Sequence, residues 1–170
     1  MPVKFSGKTP AQIEASLKQL YQKAPRAIGA IAVNLFKDNF SKQGFQDDEG
    51  DVQKWAERKN DPDPGRGILM KTGRLRDSIR IIHATSRTIT IGSRLSYAKI
   101  HKEGFRGGVS VRGFHRTRNN QREQVRPQTR RIKMPKRQFI GDSRALTKRI
   151  NNWFQKEIRE VVAKMGKNKD

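Results

Sequence analysis

The chain has no cysteine, so disulfides and thiolate metal sites are excluded. It has no apolar run near the ~20 residues that a membrane-spanning helix needs. Its first residues, MPVKFSGKTP, lack the apolar stretch of a secretory signal. These absences lead us to expect no membrane and a protein made and kept in a reducing cytoplasm, or built into a particle there. Aromatic residues are few, at 7%, which is thin for a protein that stacks on exposed bases. Acids are scarce too, with 16 Asp and Glu against 38 Lys and Arg.

The net charge is therefore +22. Self-repulsion of that size opposes a compact monomer unless a polyanion or an acidic protein offsets it. Nucleic acid, an acidic protein ring or a membrane surface are the candidate partners on charge alone. A length of 170 residues suits one domain, 1–170, with a real core. Yet the hydrophobic fraction is 33% and the mean hydropathy is -0.90. Part of the chain is then expected to be extended, exposed or ordered only by partners.

Thr9-Pro10-Ala11-Gln12 reads as a helix start, with Thr9 capping, Pro10 in the first turn and Gln12 closing a capping box. Ile13, Leu17, Leu20 and Ala24, then Ile28, Ile31, Leu35, Phe36 and Phe40, recur at helical spacing. Pro25 makes this one kinked helix or two, and Gly44 is placed to end it. Phe45 to Gly67 reads as a loop, with acids Asp47, Asp48, Glu49 and Asp51, then Trp55, then Asp61-Pro62-Asp63-Pro64-Gly65. The acids lack the alternation and terminal glutamate of a calcium loop, so no metal is expected there. Trp55 is expected to pin the loop to the core.

Thr72 is placed to cap a short helix bearing Leu75 and Ile79. Ile79 to His83 and Thr88 to Ile91 alternate as strands, joined by the hairpin-length Ala84-Thr85-Ser86-Arg87. Tyr97 to His101 fits a helical turn or a strand end, closed by Gly104. Ile132 to Ile140 reads as an edge strand or a bulged one around Pro135. Asp142 or Ser143 caps a last helix, whose stripe is Leu146, Ile150, Trp153, Phe154, Ile158, Val161, Val162 and Met165; Gly166 stops it before a lysine-rich tail.

One segment differs in kind. Residues 105–131 form an extended basic arm or hairpin carrying Arg106, Arg112, Arg116, Arg118, Arg122, Arg126, Arg130 and Arg131, with Glu123 as its acid. It has too little apolar surface to offset its ordering entropy alone. Arginine's planar fork pairs with phosphate or carboxylate, so nucleic acid and an acidic protein neighbour are equal candidates. Contact with nucleic acid would go to the backbone, without sequence choice, and would weaken with salt. Catalysis has no foothold. His83, His101 and His115 lack ligand spacing, and there is no phosphate loop, nucleophile elbow or zinc knuckle. We expect no enzyme, no metal and no cofactor.

The order ILMKTGRLRDSIRI, a hairpin, IGSRLSYAKIHKEG and then MPKRQFIGDS resembles the tail-completion and virion-morphogenesis family of tailed bacteriophages, the Mu G-like group. The matching positions are Thr72, Gly73, Arg74 and Leu75; Tyr97, Ala98, Ile100, His101 and Gly104; Pro135, Arg137, Phe139, Ile140 and Gly141. The Trp55 neighbourhood also resembles that family's tryptophan loop, and the resemblance runs roughly from Phe36 to Trp153. It departs in two places. A long basic arm replaces a short glycine-rich link, and Gln138 stands where a second proline is common.

The resemblance implies an α+β fold, a small twisted antiparallel sheet packed against N-terminal and C-terminal helices, with the arm inserted. It implies fold-making roles for Thr72, Gly73, Leu75, Tyr97, His101, Gly104, Pro135, Arg137 and Phe139, with Arg137 expected to pair with a carboxylate. It implies a structural virion protein at the head–tail junction, or neck, completing the tail or joining it to the DNA-filled head. The expected form is a homo-oligomeric ring, six-fold, assembled in the host cytoplasm. Its expected neighbours are neck, portal and tail proteins, with genomic DNA passing through the channel. A sequence-nonspecific nucleic-acid-binding accessory protein and a tail terminator are the alternatives.

Overall fold

The computed structural model describes residues 9–58, 63, 65–118 and 120–166. The opening residues 1–8, Asp61, Pro62 and Pro64 of the turn-rich stretch, the tail from 167, and the side chain of Met165 lie outside the described residues. The fold is α+β, with a long helix at each end and short antiparallel strands between.

Helix α1 (Pro10–Lys42) is one continuous element. Its capping box is formed as expected: Gln12 N–H donates to Thr9 Oγ1 at 3.4 Å, and Thr9 N–H donates to Gln12 Oε1 at 3.0 Å. Pro25 sits inside it. Pro25 has no N–H to give the Tyr21 carbonyl one turn earlier, and Tyr21 lies on an exposed face of the helix. The helix ends on Gln43, not on Gly44. Gln43 takes the left-handed conformation (φ 55, ψ 39), and its side-chain amide bonds to the Phe40 carbonyl and the Ile68 N–H. Those side-chain bonds compensate a conformation that usually falls to glycine.

Gly44 instead opens a hairpin of β1 (Gly44–Asp48) and β2 (Asp51–Lys54), so the first part of the expected loop is paired strand. A Cβ on Gly44 would lie 2.5 Å from the Gln53 carbonyl oxygen, so glycine is there for a close strand approach. The pattern hides this hairpin because its buried residues, Gly44, Phe45 and Gln46, are consecutive rather than alternating.

Helix α2 (Arg74–Asp77) is short, and its cap is Gly73 (φ 69) rather than Thr72, whose side chain caps nothing. Strands β3 (Arg80–Ala84) and β4 (Ile89–Gly92) make the expected hairpin, closed by the Thr85 N–H to the Thr88 carbonyl at 2.8 Å. Ile81 of β3 lies against Gly29 of α1, where there is no side chain to hold it off. Tyr97 to His101 resolves as helix α3 (Ala98–Glu103), followed by Gly104.

Strands β5 (Phe105–Val111), β6 (Phe114–Arg118), β7 (Gln121–Val125) and β8 (Gln128–Met134) build the arm. Pairing among the described residues is two by two: β1 with β2, β3 with β4, β5 with β8, β6 with β7. The small sheet is thus a set of hairpins. The expected strand Ile132–Ile140 is displaced: β8 ends at Met134, where Pro135 offers no N–H, and the chain then runs without regular structure to α4 (Arg144–Gly166). Ser143 is the cap of α4, since its Oγ accepts the Leu146 N–H at 3.0 Å.

The core gathers Ala32, Leu35, Phe36 and Phe40 from α1 with Trp55, Leu75, Ile79, Ala98, Phe139 and Ala145. The Phe40 ring meets Trp55 edge-on at 5.3 Å and Phe139 at 5.4 Å. Burying such a ring contributes about 1.5–3 kcal/mol. Helix α4 runs antiparallel to α1, with Arg149 beside Asp38 at 3.4 Å and Glu157 beside Lys23 at 2.5 Å. The α4 stripe outruns the core: Ile158 and Val162 are exposed, as are Leu17 and Tyr21 of α1.

Candidate interaction surface

The motif residues between the arm and the core form a brace. Arg137 is buried, and its guanidinium donates to the Ala56 carbonyl (3.0 and 2.8 Å) and the Glu57 carbonyl (3.3 Å). The expected carboxylate partner is replaced by main-chain oxygens, which a sequence does not reveal. Beside it, Trp55 Nε1 donates to the Gln138 carbonyl at 2.7 Å. The segment 55–57 is thereby stapled to 137–139, and Trp55 is an anchor as expected. Arg137 N–H also donates to the His101 carbonyl at 2.9 Å, tying α3 to the same strip.

Asn39 completes the brace and was not singled out by its sequence. It is fully buried; its Nδ2 donates to the Phe139 carbonyl, and its Oδ1 accepts from Gln46 N–H and Nε2, all at 3.1 Å. The signal was its place on the helix face of Leu35, Phe36 and Phe40, where a polar group needs internal partners.

Leu75 and Phe139 are core residues, and Pro135 directly follows β8. Thr72 is exposed. Tyr97 is 37% exposed; its ring lies edge-on to His101 at 5.9 Å. Burial, and then the nearby Arg137 charge, hold His101 below the usual histidine range. Gly104 (φ 80) stands at the base of the arm. A Cβ there would stand 2.9 Å from the Lys136 nitrogen and 3.0 Å from the Met134 oxygen.

Beyond Gly104 the arm is one long hairpin. Partner numbers keep a constant sum from Phe105↔Met134 to Arg118↔Gln121, so the two ladders share one register. At ~3.3 Å per residue each limb is roughly 45 Å long. The ladder breaks where Arg112 and Gly113 face Arg126 and Pro127. Pro127 has no N–H to give, and its ring closes on Gly113.

The register sorts the side chains, because directly opposed residues share a face. In the inner ladder one face carries Arg106, Arg131 and Lys133, and the other carries Phe105, Val109, Val111, Ile132 and Met134 with Arg130. In the outer ladder Arg116 and Arg118 share a face with Glu123, and Arg122 lies on the opposite one. Arg112 and Arg126 sit at the break. All these arginines are exposed. Arg116 is paired with Glu123 across the strands at 2.9 Å. The arm is thus an amphipathic strip near its base and a two-sided cationic tip.

The acids of the β1–β2 turn do different work. Lys148 at 2.7 Å and Arg144 at 3.8 Å flank Asp48. The Lys148 hydrogen bond, then the Glu49 N–H, hold the Asp48 carboxyl below its usual range. Among the described residues no cluster of His, Asp and Glu has metal-holding geometry. No described helix is long and apolar enough to cross a membrane.

The described residues thus form a braced α+β body that carries a basic two-stranded arm. Comparison with known families identifies it further: the phage virion morphogenesis family matches residues 11–159. The chain belongs to that family, and its role is a structural one in building the virion. No curated protein and no solved structure gives a significant match.

Proposed function

We propose that this protein acts at the head–tail junction of the virion, where it completes the tail or joins it to the DNA-filled head. Family membership across residues 11–159 carries the reading. On this reading the chain is one domain that works as a ring, six-fold, between neck, portal and tail proteins. The apolar side chains left open at the far ends of α1 and α4 support it, since a monomer gains nothing by exposing Leu17, Tyr21, Ile158 and Val162. The arm then reaches beyond its own subunit, gripping an acidic neighbour or lining the channel.

The decisive experiment is electron microscopy of particles made by phage with this gene disrupted. DNA-filled heads beside finished, unattached tails are the expected outcome. Tails of uncontrolled length would make the protein a terminator instead. Normal infectious particles would remove the structural role at the junction.

A second reading rests on the exposed arginines on both faces of the arm. A two-sided cationic tip suits sequence-nonspecific contact with the DNA backbone. Duplex binding by the purified protein that falls steeply with added salt supports it; no binding at low salt removes it.

A further inference from the structure

The brace borders an open cleft of about 280 Å³ that none of the roles above uses. It lies between α2, α3 and the strip around Arg137. Its cationic lining is Arg58, Arg66, Lys71 and Arg137, with Leu69 and Leu75 as an apolar floor. No carboxylate belongs to its described lining. Asp63 meets Arg66 from outside that lining, at Nη1 and 3.1 Å.

Two unsatisfied polar atoms lie behind the wall of this cleft. Arg66 Nε and His101 Nδ1 are buried and have no hydrogen-bond partner. Both residues line this cleft. Buried polar groups in native proteins are nearly always satisfied, so each unpaired one calls for an explanation. Burial, and then the Arg58 charge, hold Arg137 below the usual arginine range.

We propose that this cleft is a carboxylate-binding site, which receives an acidic side chain of a neighbouring virion protein against Arg66, Lys71 and His101. An arginine fork matches a two-oxygen head, and neutral imidazole donates from Nδ1. Leu69, Leu75 and the Tyr97 ring take the apolar stem. Both side chains must turn to expose Nε and Nδ1 to the ligand, and Arg66, which is 28% exposed, then exchanges its Asp63 partner for the incoming carboxylate. A duplex phosphate fits less well, because its sugars hold it on a convex cylinder and away from a small concave site.

That the carboxylate comes from a virion neighbour rests on the proposed function; the site itself does not. The test uses the full chain and free anions at constant ionic strength. His101 is followed by imidazole NMR, assigned with His101→Gln. N-acetylglutamate is expected to shift the His101 signals saturably in the millimolar range and to raise its pKa, because a bound anion stabilises the imidazolium. Lys71→Gln, an exposed substitution, and Arg66→Gln are each expected to weaken binding several-fold, and together at least tenfold. The absence of a saturable shift, or binding unchanged in the double variant, would overturn the site. Inorganic phosphate binding more tightly than N-acetylglutamate would overturn the carboxylate assignment. A failed titration with heads and tails still separate in the disrupted phage would remove the site and leave the junction role standing.

Discussion

The body and the arm are built on opposite rules. In the body, Phe40, Phe139 and Trp55 interlock around Asn39, and long-range hydrogen bonds tie 55–57 to 137–139. In the arm, the strands pair with each other, and nearly every side chain faces water. The body's shape is set by burial, which is worth kilocalories per residue. The arm's shape is set by ladder bonds and register, each worth about 1 kcal/mol net. One chain thus carries a part that must be rigid before assembly and a part that has little to lose by changing partners. Positive charge is densest in the second part, with nine Lys and Arg against one acid in residues 105–134, where it costs folding least.

The sharpest way to break this contrast is to damage the body. Phe139→Ala removes a ring that is 1% exposed and touches Phe40. The expected loss is about 3–5 kcal/mol, read from urea unfolding. A loss under 1 kcal/mol would mean that the brace, not the ring, holds the strip. Gly104→Ala comes next. It forces a side chain into a conformation nearly reserved for glycine, against the Lys136 nitrogen and the Met134 oxygen. Strain and overpacking together put the cost at roughly 2–4 kcal/mol. Gly108→Ala, deeper in the arm, meets only the Thr129 methyl and should cost far less. Equal losses at the two glycines would erase the boundary between body and arm.

Much of this division is legible in the sequence, and the illegible parts share a cause. The capping box of α1, the β3–β4 hairpin and the Trp55 anchor follow from side-chain pattern and local turn chemistry. The errors arise where main-chain atoms decide. Gly73 displaced Thr72 because backbone conformation, not a hydroxyl, starts α2. Arg137 chose carbonyls over a carboxylate. The β1–β2 hairpin was hidden because Gly44 packs against a carbonyl and its apolar residues do not alternate. For the candidate surface, the exposed arginines were visible at once. Their division between faces was not, because it depends on a register that only the pairing of β5 with β8 fixes.

A milder probe sits at the seam between the brace and α4. Ser143 is buried, and its hydroxyl oxygen holds the Leu146 N–H. Ser143→Ala is expected to cost about 1 kcal/mol, as loss of a helix cap does. Ser143→Asp restores an acceptor and should recover part of it. No recovery would show that the hydroxyl matters by packing and not as a cap.

The smallest effect tests the arm's independence most directly. Arg116 and Glu123 face each other across β6 and β7, both about half exposed. An exposed cross-strand ion pair contributes about 0.2–1 kcal/mol and fades with salt. A double-mutant cycle with Arg116→Ala and Glu123→Ala should therefore register in amide exchange of β6 and β7 at low salt and vanish near 1 M salt. The urea midpoint of the body should not move in any of the variants. If it moves with the arm, the two regions unfold as one unit, and the arm is part of the fold and not a limb carried by it.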